Sequence, residues 1–185
     1  MNLKRLYNRM TDTEINQGLV WYEGAHEYAQ YLADKYQLRL EQTCGIISAL
    51  SPSVRWNRNK LEAEWLIQSN LEDCLTEDFN FTTYGPSVVK AQRIYRDEQF
   101  TWFSEKTGPK TYNFYHNILN PGSQDYLTVD RHCYYTVHGE QPTSDLRGPR
   151  YRKIVELYTK TAKKLNIIPN QLQAILWLGV QNNLI

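Results

Sequence analysis

The chain has 185 residues and a formal net charge of +1, with 21 Lys and Arg against 20 Asp and Glu. That balance excludes a polycation that binds nucleic acid over its whole surface, so any phosphate-binding surface must be local. Hydrophobic residues at 41% suffice for one domain with a real core, while Cys44, Cys74 and Cys133 lie too far apart for a four-cysteine zinc or iron–sulfur site.

Helical periodicity dominates and β-type alternation is nearly absent, which predicts an all-α fold. Thr11 and Glu14 form a capping box that opens a stretch running through Trp21. Ala25, Tyr28, Ala29, Leu32 and Ala33 then recur at helical spacing up to about Tyr36. Leu40 to Leu50 is apolar on most sides and reads as a buried central helix, stopped by Ser51-Pro52-Ser53. A helix from near Trp56 to Ile67 follows, then a looser acidic connection from Asn70 to Thr83. Pro86 starts a helix carrying Val88, Val89, Ala91, Ile94 and Tyr95, and Pro109 starts another from Lys110 to Leu119, ended by Asn120-Pro121-Gly122. Asp130 caps a helix through Val137 that Gly139 terminates. Arg150 to Leu165 and Pro169 to about Gln181 complete eight or nine short helices, expected to form one compact domain over residues 1–185.

No signal segment or membrane-length apolar run is visible. With the sparse cysteines, this predicts a cytoplasmic protein, in the host cytoplasm if phage-encoded. Fourteen Tyr and five Trp can pack a core at one edge, and can also stack on bases. The chemistry concentrates between Tyr84 and Gly139. Lys106-Thr107-Gly108-Pro109 can expose backbone N–H groups at a helix N-terminus, and Lys106 and Lys110 flank the turn, a credible phosphate clamp.

In this region the chain resembles the helix-hairpin-helix DNA glycosylase superfamily, the group containing endonuclease III. Ser104-Glu105-Lys106-Thr107-Gly108-Pro109-Lys110-Thr111 falls on the family hairpin, and Val129-Asp130-Arg131-His132 on its valine-aspartate element. Tyr84, Lys90, Ala91 and Ile94 match the preceding helix, while Leu50-Ser51-Pro52-Ser53 looks like the segment whose following loop inserts into DNA. Lys106 stands where the family has its first hairpin glycine, Ser53 where endonuclease III has its wedge glutamine, and the family's C-terminal iron–sulfur cysteines have no counterpart. Segments such as LVWYEGAHEYA also resemble short phage proteins.

The resemblance implies a monomer acting without metal or cofactor on double-stranded DNA with a flipped nucleotide. Asp130 would be the essential carboxylate, and Lys110 the amine nucleophile of a base-excising enzyme with lyase activity. Lys106, Thr107, Gly108, Thr111, Ser53, Arg55, Arg58, Lys90 and Arg131 would contact DNA, and Trp56, Tyr84 and Tyr134 would hold the base. An enzyme of the same fold that remodels a modified base, like the phage amino acid:DNA transferases, is an alternative. A non-catalytic DNA-binding or inhibitory module is another.

Local sequence leaves several roles open. Asp130 is also a plain N-cap, and Lys110 a solvated first-turn lysine. His132 and His138 read as structural or solvated, and His26-Glu27 lacks metal spacing. The Ser53–Asn59 stretch is either a DNA-inserting loop or a helix cap with Trp56 tucked inward. Arg147 to Lys164 carries seven Lys and Arg against Glu156 alone, and is either a DNA-facing edge or a solvated face.

Overall fold

The structure, a computed structural model, describes residues 2–71, 79–97 and 104–185. The described residues form ten α-helices and no strand: α1 (Leu3–Tyr7), α2 (Asp12–Leu19), α3 (Trp21–Tyr36), α4 (Leu40–Leu50), α5 (Trp56–Leu71), α6 (Gly85–Tyr95), α7 (Pro109–Leu119), α8 (Arg131–His138), α9 (Gly148–Leu165) and α10 (Pro169–Gln181). The protein is all-α. Most of the connection expected at Asn70–Thr83, including Cys74, lies outside the described residues, as does the stretch 98–103 before the hairpin.

Where the sequence reads as one domain, the backbone groups into two compact units, residues 1–25 with 104–185, and residues 26–103. In the second unit α4 is central, packed by α5 and α6, and every residue from Gln42 to Leu50 is buried. Burying side chains such as Ile46, Ile47 and Leu50 stabilises the fold by about 1.5–3 kcal/mol each. Asn59 ties the start of α5 to α4 by donating to the Ile47 carbonyl at 3.1 Å.

In the first unit α10 is the hub, packed by α2, α8 and α9 around Leu172, Ile175 and Leu176. Its N-terminus is fixed by Gln171, whose Oε1 accepts from the Ile168 N–H at 3.1 Å. Trp21 lies among Tyr22, Phe114 and Trp177.

The stretch expected to run unbroken from Thr11 through Trp21 is interrupted. Glu14 does accept from the Thr11 N–H and hydroxyl at its start. However, α2 ends at Leu19, and α3 begins afresh at Trp21. Gln171 of α10 takes the Leu19 carbonyl at 3.0 Å, replacing one of the acceptor partnerships that a continuing ladder would supply. The short helix α1, capped by Asn2 through the Arg5 N–H, carries too few apolar residues for periodicity to reveal it.

Candidate functional site

In the first unit the site grows from α7. Asparagine is a poor helix former, yet Asn113 and Asn117 sit one turn apart in α7, both buried. Asn113 Oδ1 accepts from the Leu127 N–H at 3.2 Å, and its amide donates to the Pro109 carbonyl at 2.8 Å. Asn117 donates to the Tyr126 carbonyl at 2.9 Å and accepts from the Thr128 hydroxyl at 3.0 Å. Tyr151 of α9 donates its phenol to the Leu127 carbonyl at 2.7 Å, and its oxygen accepts from the Val129 N–H at 3.0 Å. A segment without a strand partner thus has its buried backbone groups satisfied by side chains. Tyr151→Phe leaves the Val129 N–H and Leu127 carbonyl without this partner. It should lower unfolding free energy by about 1–3 kcal/mol in urea titration, with helical content unchanged.

The register so fixed delivers Asp130 to the start of α8. There its Oδ1 accepts from the backbone N–H of His132 and Cys133, at 2.9 and 3.0 Å. Its Oδ2 lies 3.0 Å from His132 Nδ1, and the two side chains are 13% and 15% exposed. Burial pushes the Asp130 carboxyl up, but the His132 hydrogen bond, the Lys110 charge and the helix-start N–H groups outweigh it and hold it at about 2. His132 Nε2 faces the Gln181 amide nitrogen at 3.4 Å. One assignment suits a neutral ring: Gln181 donates to Nε2, leaving Nδ1–H for Asp130. Asp130 is therefore a fixed, ionised carboxylate within electrostatic reach of Lys110 and hydrogen-bonded to an oriented imidazole.

The hairpin turn leads into the same helix. The Gly108 N–H donates to the Ser104 carbonyl at 2.8 Å, and the Lys106 N–H to Ser104 Oγ at 3.2 Å. Lys106 and Thr107 are exposed, Gly108 caps α7, and Lys110 and Thr111 occupy its first turn. No described hairpin residue has a positive φ, and Gly108 itself has φ −143°. Lysine in place of glycine at position 106 thus meets no left-handed strain. Arg131, exposed, is the first residue of α8.

Tyr134, expected in a base pocket, is 8% exposed and belongs to the core of this unit. Its ring stacks on His138 at 4.2 Å, and the Arg150 guanidinium lies 5.6 Å from its centroid.

The remaining candidate residues belong to the second unit. The loop between α4 and α5 exposes Ser53 and Arg55, and Ser53 takes φ 63°, a left-handed conformation rare for serine. Ser53 Oγ and the Tyr84 hydroxyl meet at 2.9 Å, although Tyr84 is otherwise 62% exposed at the start of α6. Trp56 is half-buried, edge-on to Tyr28, with Lys60 Nζ 5.7 Å from its ring.

Arg58, expected to contact DNA, is partly exposed, with its guanidinium engaged within the chain. It bonds Glu62, which is fully buried, at 2.9 Å and the Asn80 carbonyl at 2.6 Å. Desolvation of one charge demands a partner, and Arg58 supplies it. Lys90 is half-buried in α6, and burial lowers the pKa of its amine.

Among the described residues, no group of three or more His, Cys, Asp or Glu is placed to hold a metal ion, and no helix is long and apolar enough to cross a membrane. Cys44 and Cys133 are buried and unpaired as disulfides.

Compared with known families, the chain matches the family of unknown function DUF7178 over residues 1–184. It belongs to that family. No curated protein and no solved structure matches it.

In this DUF7178 chain the residues that sequence reasoning passed over are Asn113, Asn117 and Tyr151, while His132, read as structural or solvated, is bonded to Asp130. Two asparagines spaced i,i+4 inside a helix are a readable signal, because such residues persist there when their amides are used elsewhere. The Asp-x-His spacing across a helix start was also legible. Tyr151 carried no local signal, since its partners lie 22 and 24 residues away.

Proposed function

We propose that this chain acts on a nucleotide of DNA and releases its base by breaking the N-glycosidic bond. The observation that carries the reading is Asp130, ionised, little exposed, and held against the charge of Lys110. As the bond between C1′ and the base nitrogen breaks, its electron pair leaves with the base and positive charge grows on the sugar, as in glycoside hydrolysis. A carboxylate fixed beforehand stabilises that charge without reorganising. Water then adds at C1′ and gives up a proton, which balances the one that the departing base takes up from solvent. Exposed Lys106, Thr107 and Arg131, with the N–H groups opening α7, supply donors for phosphate near the same carboxylate.

Within the second unit, Ser53 and Arg55 are candidates for contacting DNA, and Trp56 and Tyr84 for stacking on a base. Their partial exposure supports these roles, as does the meeting of Ser53 with Tyr84. The protein would act without a metal or cofactor, as a monomer in the cytoplasm.

The experiment is incubation of the purified protein with duplexes carrying damaged, mismatched or modified bases. Base release that Asp130→Asn leaves unchanged would remove the mechanism. Borohydride reduction tests the lyase variant: a covalent adduct lost in Lys110→Gln assigns that lysine as the nucleophile.

His132 favours a second reading, transfer of a group to or from a base substituent. Its imidazole is oriented by Asp130 and would serve as general base through Nε2 once Gln181 gives way. Mass spectrometry of nucleosides separates the readings, because one frees a base and the other retains an altered nucleoside.

A further inference from the structure

The outer face of α9 carries five cations and one acidic residue, Glu156. Tyr151, Ile154, Tyr158 and Ala162 turn inward and are buried, whereas Arg152, Lys153, Lys160, Lys163 and Lys164 are exposed. At about 100° per residue the five cations fall within about 120° of the helix circumference, in two rows. One row is Lys153, Lys160 and Lys164; the other holds Arg152 and Lys163, with Glu156 between them. Among the described residues none of these five cations forms an ion pair.

A face evolved only for solvation commonly alternates sign at i,i+4 spacing, which adds a few tenths of a kcal/mol per pair. Here Glu156 stands i,i+4 from Arg152 and Lys160, yet neither ion pair forms, and Lys163 and Lys164 have no acidic residue three or four positions away. The helix dipole accounts for Lys163 and Lys164 in the last turn, but not for Arg152 and Lys153 near a start that has no acidic residue in its first turn.

We infer that this face of α9 is a docking strip for the phosphate backbone of duplex DNA, separate from the hairpin turn. The strip is about 18 Å long at 1.5 Å per residue, a length over which a duplex presents about ten phosphates. A lipid surface fits less well, because the apolar side of α9 is already used in the core and cannot enter a bilayer. An acidic protein also fits less well: Leu157 is the one large apolar side chain exposed on the helix, too little for the desolvated centre of a protein interface. The inference rests on the DNA reading above for its partner, but not on any turnover.

The test is fluorescence anisotropy of a labelled 30-base-pair duplex across a salt series, with the full chain. Lys153→Gln/Lys160→Gln/Lys164→Gln should weaken binding at least tenfold near 0.1 M salt and flatten the plot of log K against log salt by about two to three units, roughly 0.9 per lost phosphate contact. Glu156→Gln should tighten binding about two- to fivefold, the gain expected from removing one like charge from the phosphate face. Circular dichroism should match the parent in both, and a gain cannot arise from misfolding. An unchanged salt slope in the triple variant overturns the strip, as does failure of the parent to bind duplex. Loss of binding to phosphatidylcholine–phosphatidylserine vesicles with duplex binding intact overturns it in favour of a lipid partner. Base release abolished by Asp130→Asn beside an unaltered triple variant would sink the strip alone. A weakened triple variant with no base release from any duplex would sink the catalytic reading alone.

Discussion

Asp130→Asn is expected to lower turnover about 100-fold or more while leaving the start of α8 intact. Asparagine caps a helix about as well as aspartate, so the N–H groups of His132 and Cys133 keep their acceptor. What disappears is the negative charge, and removing one preorganised electrostatic group typically lowers kcat about 10²–10³-fold. Asp130→Ala should show the same loss of turnover and, relative to Asp130→Asn, a further stability loss of about 1–2 kcal/mol from the missing cap. Comparing kcat with urea midpoints for the two variants separates charge from cap. If Asp130→Asn turns over like the parent, the carboxylate is a cap and no more.

The same group predicts an acid sensitivity. Its carboxyl is held at about 2 in the folded chain against an ordinary 3.8. The folded state therefore binds the proton less readily than the unfolded one, and the resulting stability is present above pH 4. It is lost as pH falls from about 4 toward 2. The difference corresponds to about 2 kcal/mol. Urea midpoints for parent and Asp130→Asn should differ more at pH 6 than at pH 2.5, and parallel curves would contradict the pairing with His132 and Lys110.

Gly18→Ala should be the most damaging single methyl in the first unit. A Cβ at Gly18 would stand 2.6 and 2.7 Å from the backbone N and Cα of Ile175, with the Ile175 side chain closer still. Backbone of the hub helix cannot swing aside as a side chain can, so α2 must be displaced from α10. Overpacking of this kind costs about 1–3 kcal/mol, and the backbone obstruction places this case at about 3 or above. Gly179→Ala is the control. Its added Cβ meets the Met10 thioether, with Met10 Cε at 3.0 Å, and methionine is unbranched and adaptable. A loss of no more than about 1 kcal/mol is expected there. Thermal or urea unfolding of both variants checks the order, and equal losses would refute the close approach of α2 and α10.

Much of the helical framework is written locally, which is why it was legible. Pro86, Pro109 and Pro169 stand in the first turns of α6, α7 and α10, where a missing N–H has no consequence. Gly139 ends α8 in the left-handed conformation, φ 84°, as a terminating glycine should. The predominantly apolar sequence of α4 marked it as a buried central helix. These signals act between residues at most a few positions apart, so one sequence suffices to read them.

Roles that depend on distant partners were not legible. Arg58 reads as a free cation until the Asn80 carbonyl, 22 residues away, accepts from its guanidinium. Tyr134 looks like a stacking platform until the core closes over it. The chain by itself determined where helices begin and end, and that Asp130 would cap one of them. Only tertiary structure decided that this cap comes within electrostatic reach of Lys110, because Asn113, Asn117 and Tyr151 hold the intervening backbone by hydrogen bonds between residues 9 to 24 positions apart. Such bonds form only once the helices have packed, and no local propensity encodes them.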